Sequence, residues 1–120
     1  YYKGCSMDQH VHGYKSHIVG FYFLETPENC SKMMFYDPRP GKVQGALLES
    51  KPDQLSYAST VINVVPQPGF LVISNSWLPH SFSRNLSDEP FKFIHFNLHL
   101  STRKDQKNID IPTETGPIII

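Results

Sequence analysis

Six histidines occur among the 120 residues of this chain, and the spacing of three of them indicates metal chemistry. His10 and His12 are two residues apart, so on an extended strand both imidazole rings project from the same face. Such a pair can bind one metal ion together. The best candidate for a third ligand is His80, which follows Trp77-Leu78-Pro79 at the end of a predicted strand.

Two ligands from one strand and a third from a distant part of the chain would leave coordination positions open on the metal. An open site of this kind suits non-haem iron and oxygen, although imidazole nitrogens also suit zinc and copper. The alternative is that His10 and His12 form a surface or cavity pair and that His80 is structural. We favour the metal site because His80 follows a Pro-x-Pro-Gly turn, Pro66 to Gly69, within a strand-rich pattern.

Composition limits the partners that we expect. The 11 Lys and Arg residues balance the 11 Asp and Glu residues, so an electrostatic grip on nucleic acid is not indicated. No apolar run approaches the roughly 20 residues of a membrane span. We therefore expect a small-molecule or peptide substrate and no membrane partner. Cys5 and Cys30 cannot form a disulfide framework, and no signal segment is evident, so we expect a cytoplasmic protein. The sequence does not indicate an oligomeric state.

Ten prolines and seven glycines divide the sequence into short segments, and no window keeps the helical period of about 3.6 residues. We predict an all-β domain over residues 1–100 and a polar exit segment with a C-terminal tail over residues 101–120. Shorter strands are expected around His10 and Leu47, and about seven strands indicate a sandwich or a jelly roll. The clearest predicted strands are Ile18–Leu24, Lys32–Tyr36, Thr60–Val65, Phe70–Ser74 and Phe91–Leu100.

The last predicted strand indicates a pocket. Alternate residues from Phe91 to His99 share one face, which combines aromatic rings with two histidines and an amide. Such a mixture is typical of a partly polar cavity, so we expect a pocket between the sheets. Parity places Tyr22 and Phe23 on opposite faces of their strand. The candidate wall residues are Phe23, His95, Asn97, His17 and Tyr22.

Six segments in order resemble a known family. They are His10-Val-His12-Gly, Ile18-Val-Gly20-Phe-Tyr22-Phe-Leu24, Phe35-Tyr-Asp37-Pro38-Arg39, Pro66-x-Pro-Gly69-Phe-Leu-Val-Ile, Ser76-Trp77-Leu78-Pro-His80 and Phe96-Asn97. Together they resemble the 2-oxoglutarate- and iron(II)-dependent oxygenases common in phages and marine bacteria. The resemblance implies a double-stranded β-helix, which is a distorted jelly roll, and a hydroxylase of unknown substrate. It also implies 2-oxoglutarate as cosubstrate and iron(II) bound by His10, His12 and His80.

The chain departs from the family pattern at the second ligand. The wider superfamily has His-x-Asp in the early motif, whereas this chain has His12 in the position of the carboxylate. Three neutral imidazoles would leave the metal centre more positive than a ligand set with one carboxylate. Asp37 is the alternative carboxylate ligand, but the segment Asp37-Pro38-Arg39-Pro40-Gly41 also has the composition of a turn.

A second departure concerns the cosubstrate. Superfamily members usually bind the distal carboxylate of 2-oxoglutarate with an arginine on the strand after the distal histidine, because a planar guanidinium pairs with a carboxylate through two hydrogen bonds. Phe91 lies nearest to that position here. The candidate cations are Arg84, Lys92 and Arg39, and each of them could equally be an ordinary surface residue.

Two other functions compete with the oxygenase. A cupin-like metal protein that does not use 2-oxoglutarate also combines His-x-His with a later histidine, and His17 would then be a fourth ligand. Against it, the eleven positions from Gly69 to His80 exceed the usual cupin spacing. The other alternative is a non-catalytic β-sandwich module, for example a phage structural or carbohydrate-binding domain, in which the histidines are incidental. Motifs of other enzyme classes, such as Gly-x-Ser-x-Gly or a phosphate-binding loop, are not found in the sequence.

Overall fold

The computed structural model describes residues 1–45, 51 and 53–101 of the chain. These residues form seven strands and one short helix. No helix in this part of the chain is long and apolar enough to span a membrane. In chain order the elements are β1 (Met7–His10), β2 (Ile18–Glu25), β3 (Met33–Tyr36), α1 (Pro40–Gln44), β4 (Val61–Val64), β5 (Leu71–Asn75), β6 (His80–Phe82) and β7 (Lys92–Leu98).

The strands form two antiparallel sheets, in agreement with the predicted all-β class. One sheet has the order β1-β6-β3-β4 and the other has the order β5-β2-β7. The strands β3 and β4 are consecutive in the chain and pair with each other. At each of the five remaining steps from one described strand to the next, the chain passes to the other sheet. Residues far apart in sequence therefore become neighbours, as His10 and His80 do.

The predicted strands agree with the structure at the level of single elements. Each of the five clearest predictions overlaps an observed strand with bounds that differ by two residues or fewer, and the strand expected around His10 is β1. Runs of β-branched and aromatic residues between turn-forming residues were sufficient for this. Leu47 and residues 102–120 of the predicted tail lie outside the described residues.

Two local predictions are wrong. His80 begins β6 instead of ending the preceding strand, because the chain turns after Asn75 and the Leu78 N–H donates to the Asn75 carbonyl over 3.1 Å. Pro79 has no N–H to extend a strand ladder through the turn. The segment after Asp37 also contains more than a turn, since α1 begins at Pro40, whose fixed φ suits the first turn of a helix.

The core lies between the two sheets and consists largely of phenylalanine rings. Phe21, Phe23, Phe82 and Phe91 are almost completely buried. The rings of Phe21 and Phe82, from opposite sheets, meet edge to face with centroids 5.3 Å apart. Phe93 of β7 packs against this cluster, so the mixed aromatic and histidine face of β7 is its inner face. An apolar interior of this kind provides most of the stability of a small domain.

The outer face of the three-stranded sheet depends on a close contact at its centre. Gly20 of β2 lies directly opposite Phe96 of β7, and the Phe96 ring folds back over the glycine. A Cβ atom at this position would collide with the tip of that ring. Glycine is therefore required here by the close approach of a neighbouring side chain.

This contact predicts the effect of Gly20→Ala on stability. The methyl group should force the Phe96 ring off β2 into solvent and lower the free energy of unfolding by about 1 to 2 kcal/mol. In a Phe96→Ala background the same substitution should cost less than about 0.5 kcal/mol, because the obstructing ring is gone. Urea unfolding of the four proteins measures both values, and an equal cost in both backgrounds would contradict the contact.

Candidate metal centre

The pairing of β1 with β6 brings two distant histidines together. His10, the last residue of β1, lies directly opposite His80, the first residue of β6. His12 follows two residues after β1 ends, and its backbone N–H donates to the Ser76 carbonyl over 2.9 Å. The segment from Ser76 to His80 thus contacts both members of the His-x-His motif. We refer to His10, His12 and His80 as the histidine triad.

The geometry of the histidine triad suits a single metal ion. One ring nitrogen from each residue can be chosen so that all three lie within 4.8 Å of one another. The Nε2 atoms of His12 and His80 are 3.3 Å apart. Two nitrogens that each lie about 2.1 Å from one ion, at an angle of about 90° to 110°, are separated by about 3.0 to 3.4 Å. The observed spacing is compatible with two ligands of one ion and also with a hydrogen bond between the two rings.

Backbone carbonyls orient two of the three rings. The Nδ1 of His10 lies 2.8 Å from the Asp8 carbonyl oxygen, and the Nδ1 of His80 lies 2.9 Å from the Leu78 carbonyl oxygen. A carbonyl can only accept, so in both rings Nδ1 carries the proton and Nε2 keeps its lone pair. Metal-binding histidines have this arrangement, in which one nitrogen donates to the protein and the other is free for the ion.

Burial lowers the pKa of two of the triad imidazoles, those of His12 and His80. The side chain of His80 is completely buried, and those of His10 and His12 are partly buried. Desolvation, followed by the nearby histidines His80, His95 and His10, lowers the pKa of His12. Desolvation also lowers the pKa of His80, although its contact with the Leu78 carbonyl acts in the opposite direction. Protons therefore compete with a metal ion for the ring nitrogens of His12 and His80 only at a lower pH than they would for those of free imidazole.

The two alternative ligands of the sequence analysis lie apart from the histidine triad. Asp37 pairs with Arg39 over 2.8 Å and with Lys42 over 3.0 Å, and hydrogen bonds from Arg39 hold the pKa of Asp37 well below its usual range. His17 packs against His99 with ring centroids 4.9 Å apart. Among the described residues, the group of potential ligands that lie close enough together contains the triad and neither of these.

In the described part of the chain, none of the three candidate cations forms a hydrogen bond or ion pair with the histidine triad. Lys92 pairs with Glu25 over 2.9 Å, and Arg39 is engaged with Asp37. Arg84 is exposed and forms no ion pair within the described part of the chain. Phe91, at the position nearest to the family arginine, is fully buried in the core.

The five predicted pocket residues have different environments. Phe23 is buried among the core phenylalanines, and Tyr22 is 38% exposed on the opposite face of β2, as parity predicts. His17 is exposed and lines, with Tyr14 and His99, a surface cavity of about 700 Å³. His95 lies beside His12 with ring centroids 5.2 Å apart. Asn97, two residues further along β7, accepts a hydrogen bond from the Ser16 hydroxyl over 3.1 Å.

Sequence reasoning missed the groups that orient and surround the histidine triad. The orienting carbonyls of Asp8 and Leu78 belong to the main chain, so no residue type could indicate them. The rings of Phe21 and Phe35 flank His80, with centroids 5.5 and 6.1 Å from it. The position of Phe35 follows from its register opposite His80 in the β3–β6 pair, which depends on the sheet order.

Comparison with protein families supports an oxygenase assignment. A family model described as "Putative 2OG-Fe(II) oxygenase" matches residues 2–97. No curated protein matches the chain. The match spans the histidine triad and all seven described strands except the last residue of β7. It carries no information on the source organism, so an origin in phages or marine bacteria stays a prediction.

The geometry predicts that removal of one triad histidine abolishes tight metal binding. His10→Ala, at a partly buried position, should weaken the binding of iron(II) or zinc by at least about 100-fold, because the remaining two imidazoles form a poor site. His99→Ala removes a histidine outside the triad and should change the affinity by less than about threefold. Calorimetric titration of the metal-free proteins measures both, with circular dichroism as a check on folding. Equal losses in the two variants would contradict the assignment.

Proposed function

The chain belongs to the 2OG-Fe(II) oxygenase family, and on that basis we propose that it is an iron(II)- and 2-oxoglutarate-dependent oxygenase, a hydroxylase, whose metal is bound by His10, His12 and His80. The observation that supports this most is the convergence of the three histidines, with ring centroids 4.6 to 5.2 Å apart. Two of them already have the protonation pattern of metal ligands. A non-catalytic module would not need oriented imidazoles of this kind.

We propose the double-stranded β-helix as the fold. A jelly roll of this type is a long antiparallel hairpin that has been rolled up. The pairs β1·β6, β2·β5 and β3·β4 are nested in the way that such a hairpin requires. The additional pairs β2·β7 and β3·β6 are the lateral contacts that close the roll. The seven described strands support this wound topology over a simple meander.

The residues present suit iron(II) as the metal. Three imidazole nitrogens on one side of an ion leave the other side open for two further ligands and oxygen. When bound, iron(II) and 2-oxoglutarate would supply the oxidising chemistry of the family. The contribution of the chain is to hold three imidazole rings in place, with the Asp8 and Leu78 carbonyls fixing the orientation of two of them. The phenyl rings of Phe21 and Phe35 exclude water behind His80.

The cation that would bind the distal carboxylate of 2-oxoglutarate is a separate part of the proposal. Arg39 follows β3, which pairs with the strand of His80. Lys92 is paired with Glu25 at the beginning of β7. We therefore favour Arg39 over Lys92 and Arg84. Both Arg39 and Lys42 form ion pairs with Asp37.

We propose a small-molecule or peptide substrate and a cytoplasmic location. The zero formal net charge of the chain supports neither a nucleic acid nor an anionic membrane as partner. Burial lowers the pKa of His95, whose ring lies beside that of His12, so a positive charge that would attract an anionic substrate is disfavoured there.

A cupin-like metal protein that does not use 2-oxoglutarate is the second candidate. One observation favours it, namely that no lysine or arginine in the described ranges forms a hydrogen bond or ion pair with the triad. In that case the substrate would bind to the metal directly. The fourth ligand suggested for a cupin, His17, packs against His99 instead of the triad, so this candidate would also use three histidines.

Turnover of 2-oxoglutarate separates the two candidates. With iron(II), ascorbate and oxygen, the wild-type protein should convert 2-oxoglutarate to succinate even without a prime substrate. His80→Ala should lower the rate at least about 100-fold, because the third ligand is lost. His99→Ala is the matched control and should keep the wild-type rate. A wild-type protein that binds iron(II) tightly and forms no succinate would favour the cupin-like candidate.

A further inference from the structure

The strand β4 is an outer strand of the four-stranded sheet and pairs with β3 on one side only. The Asp37 N–H donates to the Thr60 carbonyl over 2.9 Å, so the polar backbone groups of Thr60 point towards β3. This direction alternates from residue to residue along a strand. The N–H and C=O groups of Val61 and Asn63 therefore point away from β3. No described residue forms a hydrogen bond with these groups.

The free edge of β4 lacks the features that usually protect an unpaired strand. Charged residues, prolines and bulges give such protection. The sequence of β4 is Val-Ile-Asn-Val, and its register with β3 is unbroken. At the edge strand β1, by contrast, Asp8 is charged and the register shifts between Met7 and His10. The edge of β4 is thus open to hydrogen bonds from another extended chain.

Cavities flank this edge on both faces of the sheet. Ile62 and Val64 share the inner face, since Val64 packs against the core, and Ile62 lines a cavity of about 530 Å³. Val61 and Asn63 share the outer face and, with Ile62 at the edge, line a second cavity of about 260 Å³. A strand added to β4 would direct alternate side chains towards the two cavities.

The two cavities differ in chemistry. The larger one is lined largely by apolar and aromatic side chains such as Trp77, and its charged side chains, those of Asp37, Arg39 and Lys42, pair with one another. The smaller one has a single charged lining residue, Asp53, which forms no ion pair within the described ranges. An apolar side chain therefore suits the larger cavity, and a basic side chain suits the smaller one.

From these observations we infer that the edge of β4 binds an extended peptide segment in which apolar and basic residues alternate. The peptide would be the substrate or a part of it, and in this respect the inference rests on the proposed function. Its backbone would pair with Val61 and Asn63, and a basic side chain would reach Asp53. A second copy of the chain is the alternative occupant, but β4 itself carries no cation that could pair with Asp53.

The docked segment would be separate from the residue that reaches the histidine triad. Ile62 lies directly opposite Phe35, and Phe35 lies directly opposite His80. Neighbouring strands are about 4.8 Å apart, so a strand added to β4 would lie roughly 14 Å from the strand of His80. The edge of β4 is therefore a recognition site and not a part of the metal centre.

Backbone methylation of a probe peptide tests the inference. The probe is the acetylated and amidated heptapeptide Lys-Leu-Lys-Leu-Lys-Leu-Lys. A peptide residue directly opposite Val61 or Asn63 shares their face of the sheet, so the lysines would pair with β4 and the leucine N–H groups would point away from it. Methylation of the backbone nitrogen of the third and fifth residues, both lysines, removes pairing donors. Methylation of the second and fourth residues, both leucines, is the matched control.

Calorimetric titration of the metal-free full chain measures peptide binding. The fluorescence of Trp77, the only tryptophan in the sequence, gives a second readout because its side chain lines the larger cavity. We expect the lysine-methylated peptide to bind at least about 10-fold more weakly than the unmodified one, through loss of backbone hydrogen bonds. The leucine-methylated peptide should bind within about threefold of the unmodified one.

A pair of variants tests the same edge from the side of the protein. Asn63→Pro removes the N–H that points away from β3 and leaves the β3 pairing intact, so it should weaken binding of the unmodified peptide at least about 10-fold. Asn63→Ala keeps that N–H and should change the affinity by less than about threefold. Circular dichroism checks the folding of both variants. The comparison of the methylated peptides uses the wild-type protein and stays decisive if Asn63→Pro does not fold.

Three results would overturn the inference. The first is equal binding of the two methylated peptides, and the second is no saturable binding of the unmodified peptide up to about 1 mM. The third is a dimer in sedimentation that Asn63→Pro dissociates, because a second copy would then occupy the edge.

Failure of the proposed function gives a different pattern, since the peptide titration needs neither metal nor 2-oxoglutarate. A protein that discriminates between the methylated peptides but neither binds iron(II) nor turns over 2-oxoglutarate would keep the peptide site and lose the oxygenase assignment. A protein that turns over 2-oxoglutarate and does not discriminate between the peptides would keep the oxygenase assignment and lose the peptide site.

Discussion

The antiparallel register of β1 and β6 is the constraint on which the candidate metal centre depends. It places His10 directly opposite His80, although the two residues are 70 positions apart in the sequence. Directly opposed residues have Cβ atoms about 5 Å apart, which is close enough for two imidazoles to share one ion. A shift of one residue would turn one ring to the other face of the sheet. Phe82 of β6 is buried and opposes that shift, because the Phe82 ring would then also leave the core.

Burial of His80 explains why its surroundings are arranged as they are. A buried imidazole is costly unless its N–H finds an acceptor, and the Leu78 carbonyl provides one two residues away. The same contact leaves Nε2 unprotonated and directed towards His12, 3.3 Å away. The phenyl rings of Phe21 and Phe35 lower the local dielectric constant around it. In such surroundings the charge of a bound ion acts strongly on any anionic ligand that reaches the open side.

The sequence was sufficient for the local elements and for the choice of candidate ligands, but not for their surroundings. Alternating apolar residues and turn signals predicted five strands, and the spacing of His10 and His12 predicted their common direction. The start of β6 at His80 was missed because the turn between Asn75 and Pro79 is stabilised by a backbone hydrogen bond rather than by a glycine-rich motif. The neighbours of His80 depend on the order β1-β6-β3-β4, which no local pattern contains. The roles of the five pocket residues and the three candidate cations stay predictions.

X-ray absorption at the iron edge of the iron(II)-loaded protein tests the central claim most directly, because it counts the imidazoles bound to the metal. We expect three nitrogen neighbours at about 2.1 Å with the outer-shell scattering of imidazole rings, and the remaining neighbours should be light atoms from solvent or an added ligand. A spectrum with one imidazole or none, or with sulfur neighbours, would contradict the claim that His10, His12 and His80 converge on one ion.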